Sequence, residues 1–229
     1  MLFELHIPKT GGTSLFSVVS ALVHPARWHV ATSEQELRDR TSGYGLLSGH
    51  FDWDILAIFP ESPRVLTVLR DPVDLVLSAY GYWRRWASEG VFSPTAQIGA
   101  DEAMSRTVDD LLLDPTSQLR ANFGLMTNFL AGRKELAAGR GLEAALRHLD
   151  ECAWVGTTAT LDRDVRLLPA MFGFGPIGEV PHHLANPERP QRGNLNPDAL
   201  RVLETLTQSD RVLYDRACAI AEEQQRRYG

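Results

Sequence analysis

His6-Ile7-Pro8-Lys9-Thr10-Gly11-Gly12-Thr13-Ser14-Leu15 follows an apolar run and opens an amphipathic stretch, the pattern of a strand, a tight turn and a helix start. Gly11 and Gly12 let the backbone turn sharply and approach a ligand closely. Thr13 and Ser14 put amides and hydroxyls at a helix N-terminus, where the peptide dipoles favour negative charge, and Lys9 adds a cation. An anionic, phosphate-like group is expected here, cradled by Pro8, Lys9, Thr10, Gly11, Gly12, Thr13 and Ser14. The turn differs from the Walker order GxxxxGK[ST]: Lys9 precedes the glycines, so its side chain reaches the ligand from the strand side.

A second element, RVLTVLRDPVDLVLSAY at residues 64–80, repeats the logic. Residues 65–69 are a short apolar run of the kind that forms a buried parallel strand. Asp71 and Pro72 then supply an N-cap and a first helical residue. Arg70 therefore sits at a strand's carboxyl end, the edge where open α/β sheets bind ligands, with a guanidinium fork suited to phosphate. Ser78 lies about two turns into the following helix and must face the same edge to join that site.

Beyond these motifs the chain is ordinary globular material: 229 residues, 44% hydrophobic and 23% charged, enough for a three-layer core. It reads as a single domain over residues 1–229, with the Pro-rich stretch 176–197 as an internal loop. Strands are expected near 2–7, 44–48, 64–69 and 153–157. Helices are expected at 13–24, 72–88, 117–131, 141–150 and 160–171, with two after Asn196. Such alternation builds a mainly parallel sheet covered by helices. The polar segment 88–106 reads as a lid or an acceptor loop.

A net charge of −6 argues against nucleic acid as a partner. Local cations suffice for one anionic cofactor; Lys9 and Arg70 are joined as candidates by Arg189 and Arg192. Cys152 and Cys218 form neither a disulfide framework nor a zinc spacing. The chain enters its first strand within a few residues of Met1, so no transmembrane segment or leader is expected and the reading is cytoplasmic.

His50 is the candidate base. It stands just past the apolar run of residues 46–48, beside Gly49, and an imidazole with an ordinary pKa near 6.5 suits proton removal at neutral pH. His6 lies close to the turn but on the strand, where packing is the simpler reading. His182 and His183 sit in the long loop, where they either line an acceptor site or are exposed.

The order PKTGGTS resembles the 5'-phosphosulfate loop of sulfotransferases that use 3'-phosphoadenosine 5'-phosphosulfate (PAPS), and residues 64–80 resemble their 3'-phosphate element, with Arg70 and Ser78 as its ligands. Gly49-His50 after a strand resembles the heparan sulfate 2-O-sulfotransferase group, in which the His is the catalytic base. Residues 122–132 resemble a further family segment, with Asn128 where many relatives carry Arg.

The resemblance implies an α/β, three-layer P-loop-like fold, a central mainly parallel sheet with helices on both faces. It implies PAPS as cofactor, no metal, and Arg192 in a late basic loop over the 3'-phosphate. It further implies transfer to a hydroxyl-bearing acceptor, a carbohydrate or glycolipid, with His50 and Lys9 as catalytic residues, in a soluble bacterial relative. A tyrosine or a small metabolite as acceptor, a P-loop-like kinase using ATP, and a noncatalytic nucleotide-binding module stay open beside it.

Overall fold

Five short strands carry the apolar runs: β1 (Leu2–Leu5), β2 (Trp28–Val30), β3 (Leu46–Gly49), β4 (Arg64–Leu69) and β5 (Trp154–Thr157). The computed structural model describes residues 1–87, 94–181, 186 and 189–229. Every pairing is parallel, in the order β2-β3-β1-β4-β5, so β1 is central and the chain leaves it for opposite sides of the sheet. Helices flank the sheet, giving the expected α/β, three-layer P-loop-like fold. The carboxyl ends of β1 and its neighbours meet where the strand order reverses, the place where such sheets bind ligands.

The helices are α1 (Gly12–Ala21), α2 (Glu34–Arg38), α3 (Pro72–Trp86), α4 (Pro94–Ser105), α5 (Val108–Leu113), α6 (Leu125–Ala131), α7 (Arg133–Ala137), α8 (Gly141–Glu151), α9 (Leu161–Asp164), α10 (Leu168–Phe172), α11 (Pro197–Leu206) and α12 (Gln208–Tyr228). Among the described residues no helix is long and apolar enough to cross a membrane.

The chain divides into two compact units, one of Met1–Arg70, Met126–His183 and Leu213–Gly229, the other of Asp71–Leu125 and Leu184–Val212. The first holds the whole sheet. Leu2, Leu46, Leu66, Val68 and Trp154 on one sheet face pack with Leu15, Val18 and Val19 of α1 in one buried cluster. On the other face Phe3 lies 5.5 Å, ring to ring, from Phe59. Edge strand β5 is covered by α12: the Gln224 amide donates to the Val155 carbonyl at 2.6 Å and accepts from its N–H at 3.2 Å. Those contacts satisfy backbone groups that an edge strand otherwise leaves open to another chain.

In the second unit, Asp71 caps α3, accepting from the Val73 and Asp74 amides at 3.0 and 3.2 Å, with Pro72 behind it as expected. The expected loop over residues 88–106 is corrected in part: residues 94–105 are helix α4, while 88–93 lie outside the described residues. α4 buries Ala100 and Ala103, and a side chain at Gly99 would stand 2.9 Å from the Trp83 ring. Small residues make that close packing and leave a weak amphipathic signal.

Candidate active site

Past β1 the backbone makes the turn that the glycines foretold. Gly11 has φ 101° and stands at the N-cap of α1, which begins without a side-chain cap. Lys9 is also left-handed, with φ 67°. A non-glycine residue held there costs about 1 kcal/mol and persists only where the surroundings fix it. Here they do: Arg70 Nη1 donates to the Lys9 carbonyl at 2.9 Å, and the Thr10 hydroxyl donates to the Ile7 carbonyl at 2.8 Å. From the end of β5, the Thr158 hydroxyl contacts the Thr10 carbonyl and bonds the Leu69 carbonyl at 3.2 Å. Three strand ends thus clamp one loop.

Gly12 is needed for a different reason. A Cβ there would lie 2.6 Å from the His6 ring and 2.8 Å from Glu4 Oε1. The start of α1 therefore rests directly on two side chains of β1.

Clamping brings two cations together. Burial, and then the neighbouring Arg70 charge, push the Lys9 ammonium down from its usual range to about 8. An anion between them relieves both penalties, so the loop's electrostatics favour a bound phosphate or sulfate group. Pro8 and Lys9 are half-buried, Thr10, Gly12 and Ser14 are buried, and Thr13 is exposed at the first turn of α1.

The β1–β3 ladder continues past the strands through the His6 N–H and the Gly49 carbonyl, 3.2 Å apart. That register puts His6 beside His50, their rings edge to face with centroids 4.6 Å apart. His50 is exposed at the sheet edge, and desolvation by the surrounding protein lowers its pKa below the usual imidazole value. It is unprotonated at neutral pH and able to accept a proton.

Gly49 admits no side chain, since a Cβ would meet the Phe51 ring at 2.3 Å. Three residues beyond His50, Trp53 stacks on His148 at 4.4 Å, and His148 is fixed by the Leu130 carbonyl at 2.7 Å.

Two further expected ligands belong to the second unit. Ser78 is half-buried in α3, and exposed Arg192 pairs with Glu204, while Arg189 pairs with Asp74 at 3.1 Å. His182 and His183 lie outside the described residues. Asn128 carries a structural bond, its carbonyl accepting from the Gly132 amide at 3.2 Å.

The packing role expected for His6 is incomplete. Its Nδ1 is 3.6 Å from Glu4 Oε1, and Glu4, 1% exposed, was not singled out by sequence reasoning at all. The available signal was a Glu and a His two apart inside an apolar strand, which places both on one sheet face.

No family model matches the chain. It is similar to a protein-tyrosine sulfotransferase from Arabidopsis thaliana, 33% identical over 85 residues, which are 36% of this chain and 17% of that protein. The chain thus spans less than a fifth of the length of the curated relative it matches.

Proposed function

We propose that the chain transfers a sulfuryl group from PAPS to an acceptor hydroxyl. The observation that carries the reading is the pairing of Lys9 with Arg70 over a left-handed Gly-rich turn at a helix N-terminus, which is a donor set built for a phosphate-type anion. The similarity to a sulfotransferase supports sulfuryl transfer as the reaction class.

PAPS, when bound, supplies the electrophilic sulfuryl group and departs as the bisphosphate. Lys9 and the first-turn amides of α1 hold the 5' anion and balance charge that builds on it. Arg70, Ser78 and Arg192 are assigned to the 3'-phosphate. His50 takes the acceptor's hydroxyl proton onto its imidazole; its lowered pKa keeps it free to do so at neutral pH. No metal enters this scheme.

The family resemblance favours a carbohydrate or glycolipid acceptor. A second reading, a tyrosyl hydroxyl, is favoured by the relative's name. Incubation with sulfur-labelled PAPS and two acceptor panels, saccharides and tyrosyl peptides, tests both. Label in one panel assigns the acceptor, and label in neither, with intact PAPS recovered, overturns the transfer reading.

A further inference from the structure

On the α1-facing side of the sheet, residues change from apolar to polar toward the carboxyl edge. Leu2 and Glu4 of β1 are followed by His6 just past its end; Leu46 and Ser48, their register partners on β3, are followed by His50 just past that strand. Glu4 is the buried turning point of this series. At 1% exposure, both its carboxyl oxygens lack a hydrogen-bond partner among the described residues, as does the hydroxyl of its cross-strand neighbour Ser48. His6 Nδ1 approaches Glu4 Oε1 at 3.6 Å, and His6 in turn lies edge to face against His50. Gly12 closes the pair from above.

We propose that Glu4 is a positioning residue for His50: a buried carboxylic acid that stays neutral behind His6, adds no negative charge that would draw a further proton onto the His6–His50 pair, and so leaves His50 free to act as a base. The inference rests on His50 as the base of the proposed transfer.

Three observations support it. A carboxylate stripped of water, with only the Ser48 hydroxyl near enough to favour its charge, is the costliest charge in the cluster. Burial accordingly pushes Glu4 up to about 8, against a smaller opposing effect of the Ser48 hydroxyl. An imidazolium at His6 is opposed by burial first, then by charge on His50 and Lys9, which bring it down to about 4. The proton therefore stays on Glu4.

Second, the charged and titratable groups facing the cluster are Lys9 from the loop, His50 from β3 and Arg70 at the end of β4, while the first turn of α1 brings no acid. Third, an ionised Glu4 would put a negative charge directly under the loop that holds an anion, and a neutral acid removes that conflict.

Carbon-13 labelling of the glutamate carboxyl and of the histidine rings tests this on the intact protein by NMR. In the wild type the Glu4 carboxyl titrates near pH 8, and the His6 and His50 rings show a step at that same pH. Glu4→Gln, which keeps size and packing, abolishes the step in both rings. A Glu4 that ionises in the ordinary carboxylate range, or a His50 ring blind to Glu4, overturns the proposal. If Glu4→Gln does not fold, the wild-type titration decides alone.

No substrate is needed for that readout, so it stands or falls separately from the transfer reaction. In turnover, Lys9 deprotonation reduces the alkaline activity of both proteins. Because an ionised Glu4 adds negative charge under the anion-binding loop, the ratio of activity at pH 9 to that at pH 7 is higher in Glu4→Gln than in the wild type.

Discussion

In the turn after β1, Lys9 is the strained and desolvated cation. It combines a left-handed backbone, partial burial and a neighbouring cation, and a bound anion would offset the two electrostatic costs. Lys9→Gly accordingly raises stability by about 1 kcal/mol in urea titrations while abolishing anion affinity. Equal losses of both would contradict a strained binding residue. With its ammonium at about 8, Lys9 is charged below that pH and neutral above it, so affinity for a bound anion falls as pH rises through 8.

His50 separates binding from chemistry. His50→Ala keeps product affinity within a few-fold while turnover falls about 10²–10⁴-fold, as removal of a general base does. An active variant would remove it from that role. Gly12→Ala forces a methyl against His6 and Glu4 and costs about 1–3 kcal/mol of stability, measured by thermal or urea unfolding. Glu4 itself shows where residue-level reading stopped. A lone acid in a strand usually marks a solvent face, but β1 is central and covered on both sides, a fact of topology that no local window contains.

Elements explain both what was legible and what was not. β1, β3, β4 and β5 were visible as short apolar runs because central parallel strands are buried on both faces. β2 escaped notice: it has three residues, half-buried to exposed, with His29 in the middle, and it is held by ladder bonds to β3 that sequence does not display. α3 was legible from its cap. Asp71→Ala removes the two amide contacts and the Arg211 ion pair, and costs about 1–2 kcal/mol.

The sign with pH follows from the Asp71 pKa. Burial raises it, but the Arg211 hydrogen bond and the Asp74 and Val73 amides together outweigh burial and lower it. Its stabilisation is therefore present above the unfolded value of about 3.9 and lost as pH falls below it. Acid unfolding of the wild type steeper than that of Asp71→Ala confirms the assignment.

Across the whole molecule the net charge of −6 opposes any anionic ligand, so the proposed binding would depend on a few close contacts rather than on a general field. Added salt screens the distant repulsion more than the partly buried Lys9 and Arg70 contacts, and affinity for the ligand changes little between low and physiological ionic strength. A steep loss would point to a surface basic patch instead. The Gly-rich turn and the position of His50 at the carboxyl edge of the sheet were readable because they lie at strand ends next to glycines. The nearness of Glu4, His6 and His50 was not, since it depends on the parallel register that sets β1 beside β3.

Calorimetric titration with 3'-phosphoadenosine 5'-phosphate, using wild type and Arg70→Ala, beside ADP and ATP with and without magnesium, probes the proposed site for a 3'-phosphorylated adenosine nucleotide. Metal-independent binding that requires the 3'-phosphate and weakens about tenfold or more in Arg70→Ala, the loss of a charge-assisted contact, is the expected result. Preference for ATP with magnesium, or unchanged affinity in Arg70→Ala, would contradict it.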